Sequence, residues 1–175
     1  MVFEKIDLSR EGLPKTAQTA AGRRLLAEMA AKHYGVRDFP ITCNENGKPL
    51  TDDFFFNISH AGQWVVCALS DRPVGIDVEV LKPIKARPRY LLFSEKESRY
   101  VNASKDRERR FFTLWTRKEA YLKALGGRLA DMADFELVND DLQLTPEKNG
   151  FVLKTHFFAD HVVSACEKKE NQEFF

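Results

Sequence analysis

A chain of 175 residues, 43% of them hydrophobic, can bury a core without covalent staples, either as one compact domain or as two small packed halves. A net charge of +1 excludes a general attraction to nucleic acid or anionic membranes, and neither a signal-peptide pattern nor an apolar run near the roughly 20 residues of a membrane span is present, so a cytoplasmic protein that meets anions through a local cluster is expected. Cys43, Cys67 and Cys166 are too few, too scattered and odd in number for a disulfide framework or a cysteine metal site, and read as small buried hydrophobes.

Residues 2–8 alternate as a short strand and run through Gly12 and Pro14 as a turn. Residues 16–34, rich in Ala and Leu with Leu25, Leu26, Met29 and Ala30 at helical spacing, predict an amphipathic helix stopped by Gly35. Arg23 and Arg24 open its apolar stripe, and a solvated face suits them better than an anion site on spacing alone. Residues 41–43 are extended, and Asn44 to Pro49 form a tight turn that carries Lys48 at its tip. Strand signals at 54–58, 64–69 and 74–80, separated by short turns, predict a three-stranded meander.

The basic, proline-bearing stretch 82–88 reads as a linker, and Ser94 with Glu97 has the spacing of a capping box that opens a short helix to about residue 102. A longer helix over 107–125 buries Phe111, Leu114, Trp115, Leu122 and Leu125 and ends at Gly126-Gly127. Strands at 135–138, 151–158 and 161–166 close the chain, with Lys148-Asn149-Gly150 as the turn between the first two. Each half thus reads helix, then three strands. The expected fold is α+β: two pseudo-symmetric lobes over 1–81 and 82–175, each a helix packed on a small, mainly antiparallel three-stranded sheet.

Three places carry chemistry. In Gly75-Ile76-Asp77-Val78-Glu79-Val80, alternation puts Ile76, Val78 and Val80 on one face and both acids on the other. That describes either the solvated face of a half-buried edge strand or a two-pronged oxygen seat for a hard cation. Glu119 and Lys123 stack at i and i+4 on the long helix, as an ordinary surface ion pair or as a third acid and a cation for a phosphate. Lys48, held between Gly47 and Pro49, and Ser59-His60 at a strand end could each meet an anion, or be a solubilising lysine and a structural histidine. Together these are the residue types that handling a pyrophosphate requires.

The motifs Asn46-Gly47-Lys48-Pro49, Phe56-Asn57-Ile58-Ser59-His60, Val74-Gly75-Ile76-Asp77-Val78-Glu79 and Trp115-Thr116-Arg117-Lys118-Glu119-Ala120-Tyr121-Leu122-Lys123, in that order, resemble those of the Sfp-type 4'-phosphopantetheinyl transferases. The similarity runs over residues 22–167. It implies that a serine hydroxyl of an apo acyl or peptidyl carrier protein attacks the pyrophosphate of coenzyme A, takes the phosphopantetheine arm and releases 3',5'-ADP, with Mg2+ as cofactor. By the same resemblance Asp77, Glu79 and Glu119 bind the metal, with Glu119 as base for the serine proton and Asp77 also counted in the catalytic set. Lys123 contacts the transferring phosphate, and Gly47, Lys48, Pro49, Ser59 and His60 hold the nucleotide and its 3'-phosphate.

Larger family members carry basic residues before the first helix; Lys15, Arg23 and Arg24 are the candidates to replace them here, with Arg24 placed in the coenzyme A set. Lys85, Arg87, Arg89, Leu91, Leu92 and Phe93 are candidates for meeting an acidic carrier helix, the apolar three equally suited to core packing. A monomer with no nucleic-acid or membrane partner is expected. Two alternatives stand beside the transferase: a metal-dependent phosphohydrolase using the same acids on water, and a coenzyme A or carrier-binding module without turnover. Nothing resembles the additional water-activating ligands of two-metal hydrolases, and a pure binder has no need of all of Asp77, Glu79, Glu119 and Lys123.

Overall fold

The structure is a computed structural model and describes residues 1–8, 15–84 and 92–170. It is an α+β protein with two antiparallel sheets, each backed by one long helix. The first sheet has the order β1-β5-β4, with β1 (Val2–Asp7), β4 (Phe55–Ala61) and β5 (Trp64–Ser70). The second has the order β6-β9-β8-β7, with β6 (Val74–Val80), β7 (Glu147–Lys148), β8 (Phe151–Phe157) and β9 (His161–Lys168). A two-residue ladder, β2 (Thr42–Cys43) with β3 (Pro49–Leu50), carries the Gly-Lys-Pro turn.

Side-chain alternation explains the layering. On β5, Cys67 and Leu69 face α1 (Lys15–Tyr34), packing with Leu25, Leu26, Met29 and Ala30. Val66 and Ala68 point the other way, onto Val74, Ile76 and Val78 of β6 and Val163 and Ala165 of β9. The opposite parity of β9, Val162 and Cys166, packs under α3 (Arg107–Leu125) with Phe111, Trp115 and Leu122. The central strands are therefore apolar on both faces because both faces are covered.

The expected meander stops after two strands. β4 and β5 pair as a hairpin, but β1 occupies the other edge of β5, so β6 has no free edge there and crosses to pair along its whole length with β9. The open edge of β6 meets β4 through a side chain, the Asn57 Oδ1 accepting from the Ile76 N–H at 2.9 Å. The strand expected over 135–138 is reduced to one bridge, Val138 to Leu144, following a 3-10 helix at Leu129–Asp134. Asn149 and Gly150, at φ 49° and 76°, instead turn β7 into β8. The capping box is present at the start of α2 (Glu95–Asn102). Cys67 and Cys166 are buried, whereas Cys43 is exposed on the short β2, both of whose residues face solvent. Among the described residues no helix is long and apolar enough to cross a membrane.

Candidate active site

Gly75 sets how closely the two halves of the site approach. A Cβ there would lie 2.0 Å from the Ala120 carbonyl oxygen and 2.5 Å from the Ala124 nitrogen, so only a glycine lets β6 run against the α3 backbone. The next residue of the same parity is Asp77, and the residues preceding Ala120 and Ala124 are Glu119 and Lys123. The close contact thus brings the β6 acids to the charged face of the helix.

A cleft of about 400 Å3 opens at this meeting point, with Ser59 and His60 from β4, Asp77 and Glu79 from β6, Lys82 beyond it, and Trp115, Glu119 and Lys123 from successive turns of α3. Asp77 is only 5% exposed, which rules out the solvated-face account of its carboxylate. Its Oδ1 accepts from the Lys123 ammonium at 2.6 Å and from the Ser59 hydroxyl at 2.7 Å. Lys123 also donates to the Ser59 oxygen at 3.1 Å. Asp77 Oδ2 is buried and has no hydrogen-bond partner among the described residues. Burial works against the charge on Lys123, but the attraction of Asp77, Glu119 and Glu79 outweighs it and holds the ammonium above its ordinary pKa. Glu79 and Glu119 are half-buried. Among the described residues no group of three or more His, Cys, Asp or Glu is drawn together tightly enough to hold a metal by itself.

His60 also lines a second groove of about 820 Å3, between α1 and the β2–β4 region, where Arg23, Arg37, Phe39, Ile41 and Pro49 lie. Arg24 is exposed on α1, and it is its neighbour Arg23 that lines the groove. Gly47, at φ 80°, makes the turn that Asn44 fastens by accepting from the Asn46 and Lys48 N–H groups. The Lys48 ammonium turns inward and donates to the carbonyls of Ala124, at 3.1 Å, and Val74, at 3.4 Å. It thereby caps the C-terminal end of α3, and burial pushes its pKa down to about 8.

The rest of the tryptophan-led motif is internal support. Lys118 is fully buried, donating to Glu97 Oε2 at 2.6 Å and to the Phe135 carbonyl at 2.7 Å. Glu97 in turn accepts from the Leu137 and Ser94 N–H groups. Arg117 donates to the Leu153 and Thr145 carbonyls and Thr155, and Thr116 bonds Ser164. Sequence reasoning passed over the Lys118–Glu97 pair, although Lys118 falls between Trp115 and Leu122 on the apolar stripe of the helix, where a charge demands a buried partner. Phe93 packs on Phe111 and Trp115, and Leu92 packs against the same core. Lys85, Arg87, Arg89 and Leu91 lie outside the described residues, as does the side chain of Lys15.

Known sequences resemble that of this chain. A profile of the 4'-phosphopantetheinyl transferase superfamily matches residues 73–170, and the chain belongs to that family. It is 40% identical over 116 residues to the 4'-phosphopantetheinyl transferase gsp of Aneurinibacillus migulanus, covering 61% of this chain and 49% of that protein. Against the 4'-phosphopantetheinyl transferase Sfp of Bacillus subtilis (strain 168), identity is 35% over 121 residues, 65% of this chain and 54% of the relative. For the 4'-phosphopantetheinyl transferase AcpT of Escherichia coli (strain K12) it is 35% over 124 residues, 65% and 60%. The matched part of the chain spans about half the length of the first two of these relatives.

Proposed function

We propose that the protein transfers the 4'-phosphopantetheine arm of coenzyme A to a serine of an apo acyl or peptidyl carrier protein, with release of 3',5'-ADP. The observation that carries this reading is the assembly of Asp77, Glu79, Glu119 and Lys123, from opposite sides of the cleft, beside a groove that shares His60 with it. An elongated nucleotide ligand fits such a pair of cavities: its pyrophosphate in the acid cleft beside Ser59, its adenosine end along Pro49 and Arg23, with His60 at the junction. Gly47 and Lys48 serve the same ligand by fixing the turn that leads to Pro49.

The donor set suits Mg2+. Carboxylates are hard, acceptor-only ligands, Asp77 keeps one buried oxygen unpaired, and this ion ordinarily takes one or two carboxylates and fills its shell with phosphate oxygens and water. Asp77, Glu79 and Glu119 would hold it, and when bound it would neutralise charge on the pyrophosphate. Glu119 accepts the proton of the carrier serine as that oxygen attacks the phosphorus bearing the pantetheine oxygen. The bridging P–O bond breaks, its electron pair leaves with 3',5'-ADP, and the Lys123 ammonium donates to the phosphate where charge grows. Trp115 and the apolar layer beneath it hold the α3 carboxylate in register.

Incubating the protein with coenzyme A, Mg2+ and a panel of apo carriers, followed by intact-mass measurement, tests this directly. A carrier that gains one phosphopantetheine on a serine supports transfer. Coenzyme A breakdown without carrier gain makes the protein a hydrolase, and binding without either makes it a module without turnover.

A further inference from the structure

Lys123 and Asp77 are joined more tightly than a lysine awaiting a phosphate needs to be. Asp77 Oδ1 already receives two hydrogen bonds, from Lys123 and Ser59, and the Asp77 side chain is 7% exposed against 28% for Lys123. Ammonium and hydroxyl thus share one oxygen of the carboxylate, while its other, buried oxygen has no hydrogen-bond partner among the described residues. Ser59 gives that ammonium a second acceptor, at 3.1 Å, so it can leave Asp77 without losing every partner. A divalent cation at Asp77 and an ammonium on the same carboxylate repel. For a double and a single positive charge roughly 4 Å apart, the penalty is on the order of thirtyfold in affinity even at the dielectric constant of water.

We propose that Lys123 is an exchangeable counter-ion of Asp77: it cedes the carboxylate to a divalent cation entering the cleft, and pivots on Ser59 to present its ammonium to the pyrophosphate. Lys123 thus couples metal loading to readiness of the phosphate-binding cation, and restrains metal binding when no phosphate ligand is there to receive the ammonium. This deepens the transferase reading above and rests on its metal seat.

The test is Mn2+ binding to the whole chain, followed by the electron paramagnetic resonance signal of the free ion, for the wild type, Lys123→Met and Asp77→Asn, without coenzyme A and then with it. Met keeps the length of the lysine stem without its charge. Lys123→Met is expected to bind Mn2+ about tenfold or more tightly than the wild type without coenzyme A, and the gap is expected to shrink when coenzyme A is present. Asp77→Asn is expected to lose most binding. Wild-type binding that Lys123→Met leaves equal or weakens would overturn the exchange alone. No Mn2+ binding by any of the three, with or without coenzyme A, would overturn the exchange together with the metal seat, whereas carrier modification measured by mass would still judge transfer separately.

Discussion

Replacing Gly75 by alanine tests whether the β6–α3 approach is what builds the cleft. The added Cβ would sit 2.0 Å from the Ala120 carbonyl oxygen, against ordinary contact at 3.4 Å and beyond. Both close neighbours are backbone atoms, so no side-chain truncation on α3 can make room, and the helix must retreat by more than about 1 Å. That displacement moves Glu119 and Lys123 away from β6 and strains the 2.6 Å Lys123–Asp77 contact that bridges them. Overpacking of this kind costs about 1–3 kcal/mol of stability, while a misplacement of ~1 Å among reacting groups costs about a hundredfold in rate. Urea unfolding and transfer to a carrier, measured on the same preparation, should show a moderate loss in the first and a larger one in the second. Wild-type stability would refute the close-approach argument, and lowered stability with unchanged turnover would refute its link to the site.

Other outcomes follow from the same contacts. Lys118→Met leaves the buried Glu97 without its cation, so unfolding free energy should fall by about 3–5 kcal/mol. The double variant with Glu97→Gln should lose less than the two single losses combined, and strict additivity in denaturant melts would contradict a coupled pair. For Lys48, burial lowers the pKa from its ordinary 10.5 to about 8 in the folded protein, so between these values the unfolded chain binds the extra proton. The stability of the wild type relative to Lys48→Met should therefore rise from pH 8 to pH 10.5, and a flat or falling difference in thermal melts would show that the ammonium is not desolvated at the helix end.

Much of the fold was legible because its signals are local. The Ala- and Leu-rich stripe of α1, the Ser94 to Glu97 capping box and the Gly126 stop of α3 each depend on neighbours a turn away. The destination of β6 was not legible, since a strand buried on both faces has the same apolar pattern whichever sheet it joins, and the choice was made by β1 taking the edge of β5. Within the site, the sequence marked Asp77, Glu79, Glu119 and Lys123, and the structure lines one cleft with them. It did not indicate that Lys48 would turn its ammonium to the Ala124 carbonyl, because a turn fixes the backbone direction of a lysine and leaves the long side chain to find its own partner. The Ser59 hydroxyl on Asp77 was equally hidden, being a contact between strands of different sheets.

The central claim is that this cleft moves the phosphopantetheine arm with Glu119 as its base. Its most direct test is the intact mass of an apo carrier incubated with coenzyme A, Mg2+ and either the wild type or Glu119→Gln, with coenzyme A binding to both proteins measured alongside. The wild type should add one phosphopantetheine to the carrier, and the Gln variant should bind coenzyme A yet lose most turnover, since it keeps the shape of the side chain and loses the proton acceptor and the charged metal ligand. An unmodified carrier with the wild type across the panel, or equal modification by both proteins, would contradict it.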